Sequence, residues 1–235
     1  MKKCVDSAFK FSWLSHILNE KTPLYGGGKG FDICSGKSIS KGDSCNTSKF
    51  GFSSHTGTHV DVPRHFIQDG STIDSYHPSE WMFNSPVLLD VPSKPGQLIG
   101  VDDLPCVDGN EKEVDLLLIR TGFEQFRSED LYWENGCGLL PELAEYLCRQ
   151  HPSLRAIGLD TISLTSYQNR ALGRKAHYAF LSKNIRIFED MSLKHIRGAF
   201  SLSKVIALPL LIAGGDGAPC TIVGWEKKHV PPHKI

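Results

Sequence analysis

The stretch at residues 55–66, H-T-G-T-H-V-D-V-P-R-H-F, constrains the chain most, because it concentrates metal-ligating side chains in a segment that disfavours a helix. In a helix Asp61 would lie about 240° around the axis from His55, and the glycine, proline and β-branched residues oppose helix formation. In extended chain one face carries the odd positions His55, Gly57, His59, Asp61, Pro63 and His65. A straight strand would separate His55 from His65 by roughly 33 Å. We therefore expect bends at the glycine and the proline.

The side chains on this face have the chemistry of a metal site. Neutral imidazoles with a carboxylate suit Zn²⁺ or Mn²⁺, and a carboxylate is able to bridge two ions. His59 and Asp61 are neighbours on the face and need no bend to meet. The alternative is a polar loop whose histidines cap turns, which is the better interpretation of a single histidine. Four such residues on one face favour the metal site.

Composition excludes several classes of function. The chain has 235 residues, 40% of them hydrophobic, and is long enough to bury a substantial core. Its 26 basic and 26 acidic residues balance without a basic patch, so we expect no nucleic-acid partner. The longest apolar run, at 205–213, is too short for a bilayer, which takes roughly 20 residues. We predict no membrane association, and a buried strand with a proline defect at this run.

The seven cysteines predict reduced thiols in a cytoplasmic protein. Their number is odd and no two have C-x-x-C spacing, which disfavours a disulfide framework or a zinc ribbon. Residues 1–10 have lysines but no apolar segment after them, so we expect no signal peptide.

The order of patterns along the chain predicts an α/β protein. Turn-forming residues at 14–50 predict loops with short strands. Short apolar runs predict strands over 85–92, 114–122, 156–160 and 185–190, a last strand pair begins near residue 204, and helical spacing predicts helices over 140–151 and 176–184. Helices alternate with strands. No repeat or linker interrupts the pattern, so we predict a single domain over residues 1–235.

The opening stretch also resembles a known signature, H-x-G-T-H-x-D-x-P-x-H-F, at every fixed position. This is the signature of the metal-dependent cyclase family, which includes bacterial kynurenine formamidases and isatin hydrolases. The resemblance runs from about Leu14 to Gly224: L-L-L-I-R-T-G looks like the family's central strand, and A-H-Y-A-F-L-S-K-N-I-R-I-F-E-D-M looks like its second metal-binding segment. It implies a mixed, partly barrel-like β core flanked by helices, the swivelling β/β/α cyclase-like fold.

The resemblance also implies a set of site residues. His55, His59 and Asp61 would hold one metal ion, Asp61 would reach a second ion bound by His177, Glu189 would bridge both, and His65 would be the general acid/base. Two Zn²⁺ or Mn²⁺ ions per chain follow from this set. Tyr25 would either line the substrate pocket or have a plain packing role. Thr165 stands near the place where the family often has an acidic residue, and we expect this departure to touch no proposed ligand but to reshape the pocket.

These residues would hydrolyse a small amide with metal-activated water, and the resemblance implies N-formylkynurenine as the leading substrate. The absence of G-x-S-x-G disfavours a serine hydrolase. Hydrolysis of a cyclic amide or lactone, and a cyclase or dehydratase, are alternatives that use the same fold. A non-enzymatic metal-binding protein is a further alternative, against which His65 argues. The resemblance implies a homodimer or a larger homo-oligomer.

Overall fold

The computed structural model describes residues 9–105 and 113–227. The strands are β1 Phe9–Trp13, β2 Phe31–Ser35, β3 Ser48–Phe52, β4 His59–Asp61, β5 Met82–Phe83, β6 Pro86–Asp90, β7 Leu98–Ile99, β8 Leu116–Arg120, β9 Gly138–Leu139, β10 Ala156–Leu159, β11 Arg186–Glu189, β12 Leu202–Pro209 and β13 Gly217–Lys227. The helices are α1 Leu131–Glu134, α2 Glu142–Gln150 and α3 Arg170–Leu181. The predicted single domain over 1–235 stays a prediction, because 1–8, 106–112 and 228–235 lie outside the described residues.

One mixed sheet of nine strands carries most of the chain. Its order is β5-β12-β13-β4-β11-β10-β8-β6, and β1 pairs with β13. Strands β6, β8, β10 and β11 run parallel, whereas β4, β12 and β13 pair antiparallel. The Leu88 amide of β6 donates to the Ala199 carbonyl just before β12 at 3.0 Å, so the two ends of the sheet approach each other. This nearly closed sheet confirms the mixed, partly barrel-like core.

Alternate residues of the central strands fill two separate cores. In β8, Leu117 and Ile119 pack into the cluster beneath α2 and α3, whereas Leu116 and Leu118 pack into the cluster inside the curved sheet. Parallel strands covered on both faces are apolar at nearly every position. That explains why β8 is a continuous apolar run in the sequence.

The predicted elements are present, with one helix longer than expected. The four predicted strands contain β6, β8, β10 and β11, the predicted helix at 140–151 contains α2, and the hairpin of β2 and β3 supplies the short strands expected at 14–50. Helix α3 begins at Arg170, six residues before the predicted start. Gly173 weakens the helical pattern, but it has a packing role: a Cβ there would lie 2.1 Å from Thr165 Oγ1.

The prediction of a buried strand over 205–213 is wrong beyond Ala207. Strand β12 ends at Pro209, and Leu208, Leu210, Leu211 and Ile212 are exposed. Leu210 N–H still donates to the Pro219 carbonyl at 2.9 Å, and the chain then enters the glycine-containing turn that precedes β13. Among the described residues, no helix is long and apolar enough to cross a membrane.

Candidate metal centre

Strand β4 lies at the centre of the site because it pairs on both sides. Opposite β11, His59 faces Glu189 directly. Opposite β13, Asp61 faces Gly217, which places Asp216 beside the start of the same strand pair. This antiparallel register brings together residues about 130 and 155 positions apart in the sequence.

The bends expected on either side of β4 are present. Gly57 has a φ of 64°, a left-handed conformation that glycine adopts at no steric cost. A Cβ there would also lie 2.3 Å from Leu18 Cδ2. A 3₁₀ turn begins at Pro63 and carries His65 back towards His55, with their ring centroids 3.9 Å apart. The two bends gather the histidines that a straight strand would separate.

The fold also brings His177 to β4, although it comes from α3. Its Nε2 lies 3.4 Å from Asp61 Oδ2 and 3.2 Å from Glu189 Oε1. On the other side of the ring, Nδ1 is 2.9 Å from the Gly173 carbonyl and 3.1 Å from Thr165 Oγ1. The expectation that Thr165 touches no ligand is therefore wrong. Its hydroxyl helps to fix the His177 ring, and the absence of a side chain at Gly173 makes room for it.

Asp61 is the hub of the cluster. Its carboxylate is 1% exposed and lies 2.7 Å from His55 Nδ1, 3.5 Å from His59 Nε2 and 3.4 Å from His177 Nε2. Around a tetrahedral Zn²⁺ with bonds of about 2.0–2.1 Å, neighbouring ligand atoms are about 3.4 Å apart. Most of the nitrogen–oxygen separations match that spacing. Among the described residues three groups are able to hold an ion: His55–His59–Asp61 and Asp61–His177–Glu189, which share Asp61, and the more exposed His55–His65–Asp216.

The hydrogen bonding of the two His59 ring nitrogens shows whether the site suits a metal ion. Its Nδ1 donates to the Gly57 carbonyl at 2.8 Å. Its buried Nε2 has no hydrogen-bond partner among the described residues, although Glu189 Oε2 lies 3.3 Å away. A buried polar atom without a partner is costly. A cation between this nitrogen and the carboxylates would remove that cost, so the donor set fits a Zn²⁺ or Mn²⁺ ion.

The charges in the cluster are strongly coupled. Burial alone lowers the pKa of His177, but the Asp61 and Glu189 carboxylates outweigh it and raise that pKa to about 10. Burial and the neighbouring Asp61 charge push the pKa of Glu189 upward, yet hydrogen bonds with His177 and His59 bring it down to about 2. The two carboxylates therefore attract positive charge, which either protons on the imidazoles or metal ions supply.

His65 occupies a different place from the ligands. Its Nδ1 donates to Asp216 Oδ2 at 3.2 Å, and its ring forms the wall of the cavity with Phe66 and His177. Burial lowers the pKa of His65 below its usual value. A neutral imidazole with its proton on Nδ1 presents Nε2 as an acceptor.

Asp216 is the site residue that the sequence analysis missed. Its Oδ2 accepts from His55 Nε2 at 2.8 Å as well as from His65. The only signal in the sequence was the G-G-D-G-A-P turn, in which an aspartate between glycines is the ordinary composition of a loop. Its role depends on the pairing of β13 with β4, which no local pattern reveals.

Tyr25 lines the same cavity, as expected, but the cavity also contains residues that were not predicted. Its volume is about 270 Å³, and its lining comprises Tyr25, His55, His59, His65, Phe66, Ile162, Ser163, Thr165, Arg170, Arg174, His177 and Glu189. The Tyr25 hydroxyl has no hydrogen-bond partner in the described part of the chain. Burial raises the Tyr25 pKa to about 12, so the phenol is a neutral donor.

Known proteins are similar to this chain in sequence and in fold. Residues 13–166 match the family described as "Putative cyclase". A kynurenine formamidase from Sphingopyxis alaskensis is 31% identical over 209 residues, which cover 88% of this chain and 93% of that protein. Isatin hydrolase A from Ralstonia solanacearum has the same fold, with a TM-score of 0.76 at 19% identity over 93% of this chain and 92% of its own. A "predicted metal-dependent hydrolase" from Bacillus stearothermophilus aligns with a TM-score of 0.73 at 22% identity, over 93% and 99%.

The fold, the buried donor set and these relatives define a class of protein, the metal-dependent hydrolases. Within that class, the chain belongs to the cyclase family.

Proposed function

We propose that the protein hydrolyses a small aryl amide, N-formylkynurenine, to formate and kynurenine. The observation that carries the proposal is a buried cluster of metal-ligating groups with His65 beside it in one small cavity. The kynurenine formamidase from Sphingopyxis alaskensis, similar over most of its length, supports the choice of substrate.

The residues that would hold metal fall into two sets. His55, His59 and Asp61 would hold one ion, and Asp61, His177 and Glu189 would hold a second, giving two Zn²⁺ or Mn²⁺ per chain. When bound, such ions polarise a carbonyl oxygen and lower the pKa of water from 15.7 to about 7. Asp61 and Glu189 would offset the positive charge. The Nδ1–H groups of His59 and His177 donate to the Gly57 and Gly173 carbonyls, which fixes the orientations of both rings.

His65 would transfer the protons of the reaction. The Asp216 carboxylate holds Nδ1–H, so Nε2 is free to take a proton from the attacking water. The resulting imidazolium returns that proton to the amide nitrogen as the carbon–nitrogen bond breaks. Because burial lowers the His65 pKa, the ring is neutral at pH 7 and is ready to act as a base.

The cavity suits a substrate with a single aromatic ring. At about 270 Å³ it lies near the small end of ligand pockets, which begin at about 300 Å³. Phe66 and Ile162 are apolar members of its lining, and most of the other lining residues carry polar or charged groups. Hydrolysis of a cyclic amide would use the same groups and is the main alternative.

Metal analysis joined to an activity assay tests the proposal. We expect about two Zn²⁺ or Mn²⁺ per chain by elemental analysis, and turnover of N-formylkynurenine that chelation abolishes and either metal restores. Metal without formamidase turnover would refute the substrate and favour a cyclic amide or lactone. Failure to bind metal after reconstitution would refute the site.

We also propose a homodimer or a larger homo-oligomer in the cytoplasm. A groove of about 960 Å³, separate from the metal cavity, has a mixed polar and apolar lining that includes the exposed Trp13, Ile17, Leu208 and Leu210. Large exposed apolar side chains gathered in one groove are typical of interaction sites. Light scattering should give a multiple of the chain mass, and Leu208→Glu should reduce the measured mass.

Free thiols support the proposal of a reducing compartment. The free cysteines among the described residues are Cys34, Cys45, Cys137, Cys148 and Cys220, while Cys4 and Cys106 lie outside the described residues.

A further inference from the structure

Two arginines of α3 share the cavity with the candidate metal ligands. Arg170 and Arg174 are four residues apart, and His177 follows Arg174 by three. Positions separated by three and four residues lie on one face of a helix. All three side chains line the cavity, so this face of α3 presents two cations and one candidate metal ligand to the same space.

The guanidinium groups of this pair have no polar partner in the part of the chain that the structure describes. Neither the Arg170 nor the Arg174 guanidinium forms an ion pair or hydrogen bond with another residue in the ranges 9–105 and 113–227. Arg127, in contrast, binds the Asp190 carboxylate at 2.6 Å. A guanidinium carries five N–H donors in a fork that matches a carboxylate. The lining of the cavity therefore contains two guanidinium groups whose N–H donors have no protein acceptor among the described residues.

Aromatic contacts fix the orientation of the Arg170 guanidinium group. The Arg170 guanidinium lies over the Tyr167 ring, 4.1 Å from its centroid. Tyr167 is itself held edge-to-face by Tyr25 at 5.4 Å and by Trp133 at 5.1 Å. A cation stacked on a packed ring loses little further freedom when it binds a ligand. Arg170 is therefore preoriented within the lining of the cavity.

The Tyr25 hydroxyl adds a third donor to this part of the cavity. Its buried oxygen has no hydrogen-bond partner among the described residues. Tyr25 contacts the same Tyr167 ring over which the Arg170 guanidinium lies, and Tyr25, Arg170 and Arg174 all line the cavity. A buried hydroxyl and two guanidinium groups without polar partners, all in the lining of one cavity, together suit an anionic group of a ligand.

We propose that Arg170, Arg174 and Tyr25 bind a carboxylate on the substrate, so the enzyme acts on anionic aryl amides. This inference rests on the proposed function, which it narrows. N-formylkynurenine carries an amide on its ring and a carboxylate on its side chain, and the cavity offers candidate metal ligands for the first and arginines for the second. Isatin, a cyclic amide, has no carboxylate to satisfy these donors.

A pair of substrates that differ only in the carboxylate tests the subsite. The metal-loaded enzyme is assayed with N-formylkynurenine and with its decarboxylated counterpart, for wild type, Arg170→Gln, Arg174→Gln and the double variant. Hydrogen bonds to a charged group correspond to about 10- to 100-fold in affinity. We expect the wild type to favour the carboxylated substrate by that factor in kcat/KM. The double variant should lose the preference while it keeps its turnover of the decarboxylated compound.

Two controls separate recognition from general effects. Lys175→Gln removes the same charge from the neighbouring position of α3, and Lys175 is exposed and does not line the cavity. It should keep the full preference. Arg174→Lys keeps the charge but not the fork, so it should fall between wild type and Arg174→Gln. Thermal unfolding and metal content, measured on each variant, should match wild type because both arginines are exposed.

Binding of kynurenine and its decarboxylated counterpart, measured by calorimetry, distinguishes this inference from the proposed function. Preferential binding of kynurenine that is lost in the double variant supports the subsite, even if no variant hydrolyses either formamide and the proposed function fails. Equal turnover of both formamides by wild type, or an unchanged preference in the double variant, overturns the subsite and leaves the formamidase activity standing. If the enzyme hydrolyses neither formamide and does not bind kynurenine preferentially, both the proposed function and the subsite are overturned.

Discussion

Substitution of Asp216 by asparagine separates two roles that the structure gives to one carboxylate. Its Oδ2 accepts from His55 Nε2 at 2.8 Å and from His65 Nδ1 at 3.2 Å. The first bond orients a candidate metal ligand, and the second fixes the tautomer of the candidate base. Asparagine keeps the shape and one acceptor oxygen but removes the charge.

The expected losses follow from the two bonds. Removing the carboxylate partner of a metal-bound histidine costs about 10- to 100-fold in metal affinity or activity. The Asp216 side chain is 40% exposed, so solvent screens its charge and the lower half of that range is expected. His65→Ala should cost more, about 10²–10⁴ in kcat, because it removes the base itself.

The assay measures the two effects separately. Metal affinity is determined by competition with a chelator, and kcat is then measured at saturating metal for Asp216→Asn, His65→Ala and the double variant. If Asp216 acts on catalysis through His65, the double variant should be no slower than His65→Ala. An aspartate charge also favours the protonated imidazole, so its loss should move the acidic limb of the pH profile to lower pH.

Two outcomes would refute this reasoning. One is a full additional loss when Asp216→Asn is combined with His65→Ala at saturating metal. The other is unchanged metal affinity together with an unchanged pH profile. Asp74→Asn is the matched control, because Asp74 accepts from the Gly214 amide at 3.0 Å in the same turn but does not contact the site. Asp74→Asn should leave both the metal affinity and the pH profile unaltered.

Three further substitutions test the construction of the site. Asp61→Asn removes the charge shared by both donor groups, so elemental analysis should show loss of bound metal. Gly173→Ala places a Cβ 2.1 Å from Thr165 Oγ1; it should lower stability by about 1–3 kcal/mol in denaturant titrations, and Thr165→Gly should restore part of that. Arg127→Met leaves Asp190 buried without its ion-pair partner and should cost about 3–5 kcal/mol in the same titration, whereas an unchanged midpoint would contradict a structural role.

The sequence predicted the metal site better than it predicted the cavity around it. His55, His59, Asp61 and His65 lie in one stretch whose alternation and two bend-forming residues are visible locally. His177 and Glu189 came from the family resemblance, since a helix residue and a strand end show no local pattern. Asp216, Arg170 and Arg174 depend on strand pairing and on a helix that begins six residues earlier than expected. Their residue types are ordinary in a loop and on a helix surface, so no pattern marked them.

The location of the site follows from the double pairing of a three-residue strand. Because β4 lies between β11 and β13, its neighbours supply Glu189 on one side and Asp216 on the other. A shift of one residue in either pairing would turn Val60 towards the metal ligands and His59 towards the inner core. Gly217 fixes the register on the β13 side, because any Cβ there would lie 2.6 Å from His55 Cε1. The buried valines Val60 and Val62 resist the same shift from the opposite face. The apolar core thus holds the ligands in place, and the alternation of β4 serves both packing and metal binding.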